Sequence, residues 1–91
     1  VIAKRDIYED LAAANPDALT ADGFEDAYIG FTIGIGRSLA VYDYYKCVEV
    51  LVSRDKITEE EAIEYLDFNT VFAYFGENTP IFLFRRTSND D

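Results

Sequence analysis

Histidine, tryptophan and methionine do not occur in this chain, cysteine occurs once and proline twice. Without His and with a lone Cys, one chain cannot assemble a tetrahedral zinc site, a Cys-His nucleophile pair or a His general base. Cys47 cannot close an internal disulfide, and its place on the apolar side of a helical stretch points to a buried, inert thiol in a reducing compartment. No apolar run reaches the roughly 20 residues of a membrane helix, and no basic start with an apolar centre marks a signal peptide. The missing Met fits an initiator removed ahead of Val1 or a trimmed chain. These absences point to a soluble, cytoplasmic protein (in the host cytoplasm if its source is viral) that has no cofactor, no metal and no enzymatic activity.

Positive charge is scarce as well: 8 Lys and Arg stand against 18 Asp and Glu, a net charge of −10. The acids fall in two blocks. Asp6, Glu9, Asp10, Asp17, Asp22, Glu25 and Asp26 face Arg5 alone, and Asp55, Glu59, Glu60, Glu61, Glu64 and Asp67 face Lys56 alone. The stretch from Ala27 to Arg54 between them is nearly neutral. Such a surface repels nucleic-acid backbones and lipid headgroups, so neither nucleic acid nor membrane is an expected direct partner, and basic proteins are favoured.

What is present suffices for one domain, residues 1–91, with 49% apolar and 15% aromatic residues and an expected interior of aromatic and β-branched side chains. The strongest pattern runs from Val41 to Asn69. Asp43 is placed to cap a helix whose apolar side carries Tyr44, Cys47, Val48, Leu51 and Val52. Asp55 and Lys56 make a turn, and Thr58 with Glu61 forms a T-x-x-E capping box that opens a second helix. On that helix Ala62, Tyr65, Leu66 and Asn69 share a stripe and Glu60, Glu64 and Asp67 face away. The pattern fails after Asp67, because Phe68 and Val71 would land among the acids, so the helix is expected to end near Asn69.

Ahead of this pair, Ile7, Tyr8, Leu11 and Ala12 repeat at helical spacing behind Asp6, a candidate cap, and Asn15-Pro16 stops a short leading helix. Gly23 to Asp26 suggests a single helical turn. Tyr28 to Gly36 alternates, with Ile29, Phe31, Ile33 and Ile35 on one face and Gly30, Thr32, Gly34 and Gly36 on the other, which predicts a strand over Tyr28 to Ile35; Gly36-Arg37-Ser38 then turns the chain into a second strand, Leu39 to Tyr42. A face so bare calls for rings or a helix packed on it, or a ligand close to the backbone. Val71 to Phe75 is β-prone, Gly76 to Pro80 is a turn cluster, and Ile81 to Phe84 is apolar on both faces, which together suggest a second hairpin whose last strand is central or covered by a partner. A helix continuing to Tyr74 is the alternative. Thr87 to Asp91 has the composition of a disordered tail.

The expected fold is therefore α+β: a helix pair packed on a small, mostly antiparallel sheet, with a short N-terminal helix. Gly34 and Gly36 lack the third glycine and following helix of a dinucleotide fingerprint, and the Glu59 to Glu61 run lacks the turn of a calcium loop. Gly34, Gly36 and Arg37, V-Y-D-Y-x-K-C-V-E at Val41 to Glu49, E-E-A-x-E-Y at Glu60 to Tyr65, Phe68-Asn69, and G-E-x-T-P at Gly76 to Pro80 together resemble a family of small proteins found in phage and metagenomic viral sequences. The resemblance covers the last two-thirds of the chain and implies a viral accessory context.

The leading functional expectation is protein binding. Asp6, Glu9 and Asp10 on one helix and Glu60, Glu64 and Asp67 on another supply carboxylate rows for a basic partner site, including action as an electrostatic decoy in a nucleic-acid-binding groove. One alternative is a small-ligand-binding or hydrolytic domain using Arg37, Tyr42, Asp43 and Glu77 around the glycine face. Another is a structural, self-associating protein with a merely solubilising acidic surface. The two apolar faces of Ile81 to Phe84 favour a homodimer.

Overall fold

The computed structural model describes residues 7–34, 36–71 and 73–86. The Asp43 carboxylate accepts from the Lys46 N–H at 3.2 Å and starts helix α2, Tyr44–Asp55. Cys47, Val48 and Leu51 turn inward and are buried. Lys56 closes the helix in the left-handed region, φ 58°, with its N–H on the Val52 carbonyl. Both arms of the capping box form: Thr58 Oγ1 accepts from the Glu61 N–H at 3.1 Å, and the Glu61 carboxylate accepts from the Thr58 N–H at 2.9 Å. Helix α3, Glu59–Leu66, then buries Ala62 and Leu66 beside α2, while Tyr65 and Asn69, expected on the same stripe, stay exposed. A π-helical turn, Asp67–Val71, carries the chain slightly past the expected end at Asn69.

The sheet orders its strands β1 (Tyr28–Phe31), β2 (Ala40–Asp43) and β3 (Ile81–Leu83), with β2 in the middle. β1 and β2 form the expected antiparallel hairpin, closed by the Thr32 N–H on the Leu39 carbonyl and the Leu39 N–H on Thr32 Oγ1. The expected second hairpin does not form. β3 pairs parallel to β2 at the sheet edge, and residues 73–75 are not strand. Parallel neighbours need a long crossover, and α2 with α3 provides it: the chain leaves β2 directly into α2 at Asp43 and returns to β3 after the π turn.

β1 is also shorter than Tyr28 to Ile35 and changes phase. Tyr28 pairs with Tyr42 but Gly30 with Val41, so Ile29 is an extra residue in a bulge. Beyond it Phe31 faces the same side as Tyr28, while Ile29 and Ile33, expected on one face with Phe31, are exposed. Ile35 lies outside the described residues. Among the described residues nothing packs on the glycine face: a Cβ built on Gly30, Gly34 or Gly36 meets none of their atoms within 4 Å.

The leading helix, α1 (Glu9–Ala14), buries Leu11 and leaves Ala12 exposed; its expected cap, Asp6, lies outside the described residues. Asn15, extended before Pro16, ends it. The buried Asn15 amide donates to the Ser38 carbonyl at 2.9 Å and to Asn78 Oδ1 at 3.0 Å, and its oxygen accepts from the Asp17 N–H. One side chain thus joins the end of α1, the β-hairpin loop and the turn before β3. The expected turn at Gly23 to Asp26 appears as a 3₁₀ turn, Glu25–Ala27.

The core differs in composition from the sequence expectation. Leu11, Leu51, Leu66, Val48, Cys47 and three alanines fill it, with Phe24 and Tyr42 as its only fully buried aromatics among the described residues. Tyr8, Tyr28, Tyr42 and Phe82 form a chain of ring contacts at centroid distances of 4.6, 5.6 and 5.6 Å, and most other Phe side chains lie at the surface.

Candidate partner-binding surface

Glu60 and Glu64 are exposed one turn apart on the outer side of α3, and the next position of that row, Phe68, is 82% exposed. The row of acids therefore runs into an aromatic side chain in open solvent. Tyr65, Tyr74 and Phe75 are exposed in the same part of the chain. A large apolar side chain left in water contributes little to folding, which makes this stretch the candidate for an interaction surface.

The third member of the acidic row has a different position. Asp67 is half-buried and accepts from the Tyr44 hydroxyl at 3.1 Å, tying the start of the π turn to the first turn of α2. Burial, and then the bond to Asp67, push the Tyr44 pKa above that of a free phenol. Glu9 and Asp10 are exposed in the first turn of α1, whose adjoining Tyr8 packs on Tyr28, whereas α3 packs on α2. The carboxylates thus form two groups on different parts of the molecule.

The alternative set, Arg37, Tyr42, Asp43 and Glu77, is only partly brought together. Arg37 and Glu77 form an ion pair, 2.6 Å from Nη2 to Oε1, with Nε donating to the same oxygen at 2.9 Å. Asp43 lies at the other end of β2, where it caps α2 and pairs with Arg85 at 3.2 Å. The Tyr42 side chain is fully buried; its hydroxyl oxygen accepts from the Ala21 N–H at 2.8 Å and shares a hydrogen bond with Tyr8 Oη at 2.8 Å. Burial raises the pKa of both phenols, so this pair holds its protons well into the alkaline range. Cys47, also fully buried, has its thiol pushed up to about 12, mainly by burial. It is no nucleophile at neutral pH.

Two concavities lie away from the glycine face. The larger, about 800 Å³, is an open polar cleft between the 3₁₀ turn and α2, lined by Asp26, Lys46, Glu49, Ser53 and Arg54 among others. Arg54 donates to the Gly23 carbonyl at 3.2 Å and sits over the Phe24 ring, 5.6 Å from its centre. Gly23 has φ 93°, and a Cβ there would come within 2.8 Å of Arg54 Nη1, so glycine is needed for this closure. The smaller, about 340 Å³, has four aromatic residues, Phe24, Tyr65, Phe75 and Phe82, in its lining, with Pro80, Asp22 and several threonines among the others. Sequence reasoning missed both, because the walls come from segments far apart in the chain that no single period connects. The nearest signal was the cluster of Phe and Tyr beside the Gly76 to Pro80 turn.

Among the described residues no group of three or more acids or Cys is placed to hold a metal ion, and no helix is long and apolar enough to cross a membrane. No family model matches the chain, and neither curated proteins nor solved structures yield a match.

Proposed function

We propose that this chain is a protein-binding module, of the phage accessory kind its motifs resemble, which uses the outer side of α3 to engage a basic site on another protein. The observation that carries this reading is Phe68, exposed at 82% and aligned behind Glu60 and Glu64. Carboxylates raise the encounter rate with a basic surface and disfavour acidic ones, while an aromatic anchor supplies the desolvated contact that holds a complex. The two roles are complementary and lie on one helical row. In the decoy form of this reading, the basic site is one that otherwise holds nucleic acid.

The test is affinity capture from a host lysate, comparing the native chain with Glu60→Gln/Glu64→Gln and with Phe68→Ser. Asp67 is left intact because Tyr44 depends on it. Expected is a basic protein whose capture falls with rising salt and is reduced in both variants, and which nucleic acid displaces if the protein is a decoy. Capture that is indifferent to the charges and to Phe68 leaves the acidic surface only a solubilising role.

A further inference from the structure

The aromatic cavity points to the chemistry of what the partner inserts. Phe24, Tyr65, Phe75, Phe82 and Pro80 are among its lining residues, and so is Asp22, an acid. Tyr65 is 47% and Phe75 65% exposed, and neither makes a ring contact or ion pair among the described residues. Asp22 is exposed and likewise has no ion-pair partner among them. Exposed rings beside a carboxylate with no ion-pair partner among the described residues form an environment that attracts an organic cation, since ring faces carry negative potential and the carboxylate a full charge. Phe24 already accepts a guanidinium, that of Arg54, 5.6 Å from its centre.

We infer that this cavity is a receptor for an arginine side chain of the basic partner. The volume of about 340 Å³ is at the small end of ligand pockets, room for one long side chain rather than a cofactor. Apolar walls suit the methylene stem. The planar guanidinium stacks on rings and sheds its hydration more readily than an ammonium, which favours Arg over Lys. The net charge of −10 favours a basic partner over a second copy of the chain as the source of that side chain. The inference rests on the protein-binding reading and adds a site to it.

The experiment is a titration of the isotope-labelled full chain with n-butylguanidinium and with neutral n-butylurea of the same shape, followed by amide shifts at low salt. Expected are shifts at Asp22, Phe24, Tyr65, Phe75 and Phe82, with the cation binding roughly five- to tenfold more tightly than the urea. Asp22→Asn should reduce that ratio and Phe75→Ala should weaken both ligands; both positions are exposed, so the fold should survive the changes. Equal binding of the two ligands, shifts confined to the Glu60 and Glu64 surface, or a ratio unchanged in Asp22→Asn overturns the inference. Partner capture that needs Glu60, Glu64 and Phe68 but ignores Asp22→Asn and Phe75→Ala removes the cavity and leaves the binding reading. Specific guanidinium binding without any captured basic partner removes that reading and leaves the cavity.

Discussion

Replacing Tyr42 by Phe changes one oxygen, yet it should loosen a wall of the aromatic cavity as well as the core. That oxygen accepts from the Ala21 N–H and shares a hydrogen bond with Tyr8 Oη, both at 2.8 Å. The ring remains, so packing against Tyr28 and Phe82 is kept and the loss is one of hydrogen bonding. A buried polar group deprived of its partner costs about 1–3 kcal/mol. Here two groups are deprived, but Ala21 and Tyr8 are half-buried and water recovers part of the loss, giving about 2 kcal/mol in all. For a domain of this size that lowers Tm by roughly 10 °C. Tyr8→Phe leaves the Ala21 bond in place and should cost about 1 kcal/mol. Urea denaturation of both variants gives the ordering, and amide exchange at Ala21 should accelerate only in Tyr42→Phe. Ala21 directly precedes Asp22, so the same variant should bind guanidinium more weakly. Should Tyr8→Phe prove the more damaging, or Tyr42→Phe lose under about 0.5 kcal/mol, the phenol does not anchor this loop.

Alkaline pH should unfold the protein through its buried acids. Cys47 has its pKa raised from 9.0 to about 12, and Tyr8, Tyr28, Tyr42 and Tyr44 are raised too. Raised values mean that the unfolded chain releases these protons first, so their stabilisation is intact below pH 9 and is lost as pH climbs toward 12, by as much as about 4 kcal/mol for the thiol. A urea midpoint constant between pH 9 and 11 would contradict this. Self-association, expected from Ile81 to Phe84, would use β3, an edge strand with Ile81 and Leu83 exposed at 38% and 45%. Light scattering at micromolar concentration should then give a dimer that Leu83→Lys dissociates; a monomer mass for the native chain discards it.

Where one element determined its own conformation, the sequence was legible. Asp43, Thr58 and Glu61 cap their helices as the residue types demand, because a cap needs partners only three residues away. The buried Cys47, Val48 and Leu51 follow from the 3.6-residue period in the same local manner, as does the α+β class. The pairing of β3 was not legible. Ile81 to Leu83 is equally suited to a parallel or an antiparallel neighbour, and the choice was made by the helix pair, which carries the chain back across the sheet before the strand begins. The cavity was illegible for a related reason: Asp22, Tyr65, Phe75 and Phe82 meet only once that crossover is in place.

Two irregularities explain most of the remaining departures, and the second concerns the surface on which function is proposed. At Ile29 an extra residue in β1 breaks the period of two, and the apolar set read as sharing one face is divided, with Phe31 turned in and Ile33 left 83% exposed. At Asp67–Val71 the helix widens to a π turn just where apolar residues reach the acidic side, and Phe68 is left outside. Periodic reading cannot count an inserted residue, so it signals such a place only by failing there. In β1 it continued and gave the wrong face; after Asp67 it failed visibly. A large apolar residue where the simple period does not hold is therefore either a core position reached by a different geometry or a side chain left in solvent. Burial separates the two outcomes: Phe31 belongs to the first and Phe68 to the second.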